Sequence, residues 1–322
     1  MPRFLSSFAV AGTTAALFAA LIAPSAAQAA APASDRANSL AWVALGDSYT
    51  AGVIQATGDT FEFPPDGCAR TTESYPEVIR RDFGSLVNLR NVSCGAATVK
   101  DIYETKQTPL GRPLPPAGTD PDAPFAPVPP QIDAVAPDTD LITVGAGGNT
   151  VGFGEILFRC LALGAEDGNK GTPCKDEFDA SLPGRLDQLR KDYGQMLDAL
   201  HTKAPNAKVK TVGYPHVIPE NAALCTFGDP KQFATITTGD LTWARTHILE
   251  PLNTAIAQES TAHNATFIDL YPTTTGHSVC DSDHWTDGLF TSLIPLRYAF
   301  VHPNAKGHAN TASLVEDAIL AE

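Results

Sequence analysis

Gly46-Asp47-Ser48-Tyr49 closes a β-like run, Leu40-Ala41-Trp42-Val43-Ala44-Leu45. A serine set just past a buried strand, beside a glycine, stands at the mouth of a sheet with its hydroxyl exposed. That placement suits a nucleophile. The same residue types are ordinary turn formers, so this segment alone does not separate a nucleophile from a turn. A serine hydroxyl attacks only when a base takes its proton, and a base that works near neutral pH is a histidine. The chain has eight histidines. Three more segments group chemistry-bearing residues: Ser93-Cys94-Gly95-Ala96, Gly145-Ala146-Gly147-Gly148-Asn149, and His302-Pro303-Asn304-Ala305-Lys306-Gly307.

Taken in order, Ser48, Gly95, Asn149 and His302 resemble the four blocks of the SGNH hydrolases, the GDSL esterase/lipase family. The resemblance is to the secreted actinobacterial lipase/esterase branch and runs from about residue 40 to the C-terminus. It implies a serine carboxylic ester hydrolase, a lipase or esterase with phospholipase A activity within its range. Ser48 would be the nucleophile and His302, in Val-His-Pro-Asn before a terminal helix, the base. The resemblance places the oxyanion hole on the backbone N–H of Ser48, the backbone N–H of Gly95 and the side-chain amide of Asn149. Glycine lets a backbone approach a substrate closely, and an amide donates a hydrogen bond without bringing charge. No metal and no organic cofactor is implied. His308, six residues after His302, reads as a surface or capping residue. Two other functions share the pattern: a carbohydrate O-acetylesterase on the same fold, and a secreted binding protein with a vestigial site.

The chain departs from the family twice. Many members carry Asp three residues before the base histidine, where this chain has Ala299, and no Asp or Glu lies from Gly288 through Val301. The expectation is a Ser–His dyad whose imidazole is held by a main-chain carbonyl near Ala299 or Phe300. The alternative is that Asp283 or Asp287 folds back to complete a triad. Thr150 stands where many members have Asp after the third-block Asn, which bears on loop structure. Asp47 reads as a turn and hydrogen-bonding residue.

The elements that must position these groups are legible as patterns. Strands are expected at Leu40–Leu45, Leu86–Val92, Asp140–Gly145, Lys208–Val212 and Thr266–Leu270. Several are short continuous apolar runs, as for strands covered on both faces. Leu186, Leu189, Tyr193, Met196, Leu197 and Leu200 make one helical stripe. Leu241, Ala244, Ile248, Leu252, Ala255 and Ile256 make another, with Pro251 a kink or break. Leu314, Val315, Ala318 and Ile319 indicate a C-terminal helix. Strands alternating with helices predict an α/β fold: a three-layer α/β/α sandwich around a mostly parallel, flavodoxin-like sheet. Pro109 to Pro130 holds nine prolines. It reads as a surface loop, or as a wall of an acyl pocket offered by Phe125 and Val128. Residues 150–180 read as a second long insertion.

Arg3 followed by an apolar run from Phe8 to Ile22, with Ala27-Gln28-Ala29 beyond it, reads as a signal peptide over residues 1–29. A membrane anchor is the alternative, but the apolar core is short and ends at Pro24. Residues 30–38 read as a disordered leader, and 39–322 as a single hydrolase domain, whose ~290 residues can bury one large core. The formal charge of −14 argues against nucleic acid and against docking on anionic membranes. The expectation is a secreted, extracellular monomer without stable membrane insertion, acting on a small-molecule or lipid ester. Six cysteines in an exported chain read as three disulfides. The resemblance implies sequential pairing: Cys68–Cys94, Cys160–Cys174 and Cys225–Cys280. The rival reading is a metal held by His277, Cys280 and His284, which lacks a second cysteine pair at matching spacing.

Overall fold

The computed structural model describes residues 39–53, 64–112 and 120–321. The signal peptide expected over 1–29 and the leader over 30–38 lie outside them. Five strands form a sheet: β1 (Leu40–Gly46), β2 (Val87–Asn91), β3 (Leu141–Gly145), β4 (Lys208–Val212) and β5 (Thr266–Ile268). They are all parallel, in the order β2-β1-β3-β4-β5. A two-stranded antiparallel ribbon, β6 (Phe290–Leu293) and β7 (Leu296–Tyr298), stands apart. The helices are α1 (Ser48–Ala51), α2 (Tyr75–Phe83), α3 (Val99–Tyr103), α4 (Gly148–Val151), α5 (Phe153–Asp167), α6 (Pro173–Phe178), α7 (Leu182–Lys203), α8 (Thr238–Trp243), α9 (Glu250–Ala262) and α10 (Ala305–Leu320).

The sheet is covered on both faces, which is why its strands read as apolar runs. Trp42 and Ala44 of β1 point to one side, where Tyr75 and Ile79 of α2 and Val315 of α10 close over them. Val43 and Leu45 point to the other, onto a larger core with Leu189, Met196 and Leu197 of α7 and Leu252 and Ile256 of α9. The result is the three-layer α/β/α sandwich.

Two patterns come out differently in detail. The stripe from Leu241 to Ile256 runs through α8, a π-helical stretch at Ala244–Leu249 and then α9. Pro251 sits in the first turn of α9, directly after the π-helical stretch, so the proline marks a join. Residues 150–180, read as an insertion, are mostly helical. In α5 the apolar residues Ile156, Leu157 and Cys160 turn inward, and Gly168, at φ 64°, closes that helix in the left-handed conformation.

The sulfurs of Cys68 and Cys94, Cys160 and Cys174, and Cys225 and Cys280 are bonded. The metal reading therefore fails at Cys280, whose sulfur is in a disulfide, while His277 stacks on Trp285 at 3.6 Å. Among the described residues no helix is long and apolar enough to cross a membrane.

Candidate active site

In a parallel sheet, a crevice opens at the carboxyl ends of strands where the order reverses. Here that point lies between β1 and β3, and the loops leaving those two strands carry Ser48 and Asn149. Gly46 makes the turn out of β1 possible. At φ 153° it packs so tightly that a Cβ would stand 2.3 Å from Thr50 Oγ1 and 2.5 Å from the Gly145 carbonyl. Asp47 then caps α1, its carboxylate accepting from the Tyr49 N–H at 2.9 Å, and Ser48 begins the helix.

His302 lies 254 residues further on, and its Nε2 is 2.7 Å from Ser48 Oγ. The other ring nitrogen, Nδ1, is 2.8 Å from the Ala299 carbonyl and 2.9 Å from the Phe300 carbonyl. Carbonyls only accept, so Nδ1 carries the proton and Nε2 is left as the acceptor for the serine hydroxyl. Burial holds the His302 pKa below 6.5, partly offset by these two carbonyls, which favour the charged ring.

The carbonyls reach the imidazole through an uncommon backbone. Phe300 and Val301 are both left-handed, at φ 51° and 62°. A β-branched residue in this region is an outlier that costs on the order of 1–3 kcal/mol. Surrounding bonds hold it there: the N–H groups of Ala299 and Phe300 donate to Leu289, that of Val301 donates to Gly288, and the Val301 carbonyl accepts from the Tyr49 hydroxyl. The β6–β7 ribbon delivers the chain into this turn.

Neither alternative carboxylate bonds to the imidazole. Asp283 pairs with Lys306 and lies 3.3 Å from His277. Asp287 pairs with His284 and accepts from the Asn304 amide; only its backbone N–H bonds to His302, at the carbonyl. His308 is buried in α10, where its Nδ1 accepts from the Tyr75 N–H at 3.2 Å. It is an interior residue and not the surface or capping residue expected.

Asn149 is the second residue of α4, and one amide hydrogen goes to the Ala97 carbonyl at 3.0 Å. Gly95 differs from expectation. Its N–H donates to the Cys68 carbonyl at 2.9 Å, because the Cys68–Cys94 bridge, with Cα atoms 4.2 Å apart, brings that carbonyl alongside. Thr150 has a visible role: its Oγ1 accepts from the Val99 N–H at 2.9 Å, fastening the start of α3 to the loop after β3.

Ser48, Gly95, Asn149 and His302 all border one cavity of about 540 Å³. Most of its remaining wall is apolar, with Leu110, Phe153, Leu157, Phe158, Leu252 and Phe300 prominent. The proline-rich segment contributes Leu110 and Gly111. Phe125 and Val128, the expected wall, do not line it: Phe125 packs onto Gly67 and Gly111, and Val128 pairs with Gln107. Residues 113–119 lie outside the described set.

Sequence reasoning missed Tyr214, which also lines the cavity. Its hydroxyl donates to Asp47, and the Gly148 N–H donates to that hydroxyl at 2.8 Å. The available signal was position, since Tyr214 follows the carboxyl end of β4, on the edge of the sheet that carries Ser48 and Asn149.

The family model of the GDSL-like Lipase/Acylhydrolase family matches residues 44–309. Lipase 2 of Streptomyces coelicolor is 31% identical over 290 residues, spanning 87% of this chain and 86% of its own. An esterase of Streptomyces scabiei is 31% identical over 331 residues, spanning 93% and 90%. The fold is shared with the crystal structure of an extracellular lipase from Streptomyces rimosus, at TM-score 0.64 and 21% identity over 87% of this chain and 100% of that one. It is shared also with phospholipase A1 from Streptomyces albidoflavus NA297, at TM-score 0.57 and 22% identity over 87% and 99%. By its family match and these relatives, the chain belongs to the GDSL-like lipase/acylhydrolase family of carboxylic ester hydrolases.

Proposed function

We propose that this protein is an exported lipase or esterase that cleaves esters of apolar acyl chains through a Ser48–His302 dyad. One observation carries the reading: the 2.7 Å contact between His302 Nε2 and Ser48 Oγ opens onto an apolar cavity of about 540 Å³.

Ser48 Oγ attacks the ester carbonyl as its proton moves to His302 Nε2. The imidazolium keeps its Nδ1–H on the Ala299 and Phe300 carbonyls, which do the orienting work of a triad carboxylate. The Ser48 N–H and the second Asn149 amide hydrogen receive the oxyanion. Gly95 N–H can join them only by releasing the Cys68 carbonyl. His302 then protonates the leaving alcohol, and an acyl-Ser48 ester remains. Water, giving a proton to Nε2, attacks this ester; the bond to Ser48 Oγ then breaks, His302 returns the proton to Ser48, and the carboxylic acid leaves.

The cavity favours an acyl chain over an acetyl group. Its volume falls in the ~300–1,000 Å³ range of small-molecule pockets, far beyond what two carbons fill, and an apolar wall rewards each buried CH₂ by about 0.8 kcal/mol. The formed Ser48–His302 contact supports an enzyme over a vestigial binding protein. Three disulfides, the segment read as a signal peptide and the likeness to an extracellular lipase support export.

The test is a rate profile over p-nitrophenyl esters from acetate to stearate, run beside a phospholipid and an acetylated xylan. The reading expects kcat/KM to rise with chain length beyond acetate. A preference for acetate and acetylated xylan would support the acetylesterase.

A further inference from the structure

We propose that Tyr214 is a positioning residue that sets the span of the oxyanion hole, holding the turn that carries Ser48 against the turn that carries Asn149 through a single hydroxyl. The proposal rests on the ester-hydrolase reading above.

That hydroxyl donates and accepts at once. Its one proton goes to Asp47 Oδ2, and it accepts from the Gly148 N–H at 2.8 Å. Asp47 immediately precedes Ser48, and Gly148 immediately precedes Asn149. The two oxyanion donors come from different strands, and the Tyr214 hydroxyl links the residues before them. Tyr214 is itself fixed: its N–H donates to Asn253 Oδ1 at 2.8 Å, and its carbonyl accepts from Asn253 Nδ2 at 2.9 Å. The crosslink is therefore anchored to α9, and its ring meets Tyr49 edge-on at 5.1 Å. Both Asp47 and Tyr214 are buried, at 1% and 6% exposure.

The link works best with an ionised Asp47, which accepts from the Tyr49 N–H and the Tyr214 hydroxyl together. Burial raises the Asp47 pKa to about 6, and the Tyr214 bond is the largest influence holding it down. The titratable groups around it are tyrosines: Tyr49 from α1, Tyr75 from α2, Tyr193 from α7 and Tyr214 itself, all kept protonated by burial. His302 lies beyond the Tyr49 ring.

The experiment compares kcat, KM and the pH profile of wild type, Tyr214→Phe, Asp47→Asn and the double variant on a soluble p-nitrophenyl ester. Tyr214→Phe is expected to lower kcat about 10- to 100-fold, short of the ~10²–10³ for removing an oxyanion donor outright, with KM nearly unchanged. Its acid limb should move to higher pH, because Asp47 loses a bond that favours its charged form. In the Asp47→Asn background the same change should leave the limb in place. Should Tyr214→Phe fail to fold, Gly148→Ala carries the same kcat expectation, since its methyl would press on the Tyr214 hydroxyl at 3.3 Å. A folded Tyr214→Phe with wild-type kcat, or with a kcat loss and an unmoved acid limb, overturns the proposal alone. A wild type inert toward esters overturns it together with the ester-hydrolase reading.

Discussion

The Tyr49 hydroxyl donates to the main-chain carbonyl of Val301, so the residue after Ser48 holds the residue before His302. The Tyr49 ring also packs 4.9 Å from the His302 imidazole. One side chain thus couples α1, just past β1, to a left-handed turn that local preference opposes. Tyr49→Phe should leave the Val301 carbonyl without its donor, at about 1–3 kcal/mol of stability. A fall in kcat of about tenfold should accompany it, 1.4 kcal/mol being a factor of ten. Melting and steady-state kinetics measure both, and unchanged kcat would mean that the turn holds His302 unaided.

If the main-chain carbonyls at His302 Nδ1 orient the base, as proposed, no single carboxylate is essential to it. Asp283→Asn and Asp287→Asn should each stay within about tenfold of wild-type activity, whereas a triad Asp changed to Asn costs ~10⁴. Ser48→Ala and His302→Ala should each lose roughly 10³ or more, because the two act as a unit. Collapse of a folded Asp variant would reveal a triad.

Asn149→Ala should lower kcat by about 10²–10³ with a smaller change in KM, since the amide acts on charge that develops in the transition state. Its bond to the Ala97 carbonyl predicts a slight loss of stability as well. A raised KM at constant kcat would reassign Asn149 to ground-state binding.

Gly154 lines the cavity, and a Cβ placed there meets no atom within 4 Å. Gly154→Phe should therefore fill acyl space without displacing the core. Rates on long-chain p-nitrophenyl esters should fall about tenfold or more relative to acetate, while acetate hydrolysis holds, as each excluded CH₂ forfeits about 0.8 kcal/mol. An unchanged chain-length profile would place the acyl group elsewhere.

Acid should destabilise this fold partly through His308. Burial lowers its pKa from 6.5 to about 3, with nearby His302 adding to the effect. Below 6.5 the unfolded chain takes a proton that the folded protein refuses, so this contribution is full above pH 6.5 and lost as pH falls toward 3. The slope is about 1.4 kcal/mol per pH unit. Asp47, raised to about 6, acts oppositely: folding gains as pH falls from about 6 toward 3.8. His308→Gln, which keeps an acceptor for the Tyr75 N–H, should flatten the acid dependence of denaturant unfolding below pH 6.5. A slope equal to wild type would show that His308 is protonated in the folded protein.

The strands, the stripe of α7 and the placement of Ser48 past β1 were legible in sequence because they are local. An apolar run buried on both faces, a 3.6-residue period and a glycine turn are written in neighbouring residues. The carboxylate-free stretch from Gly288 to Val301 likewise showed that an orienting acceptor must come from the main chain or from afar. Tertiary structure decided how the acceptors arrive. Phe300 and Val301 take a backbone that their residue types disfavour, and bonds to Leu289, Gly288 and Tyr49 help hold it. Long range also decided that Cys68 occupies the Gly95 N–H, that α5 supplies much of the cavity wall, and that Tyr214 joins Asp47 to Gly148 across 167 and 66 residues. Such pairings depend on which groups lie across from each other once the layers close, and no periodicity along the chain encodes them.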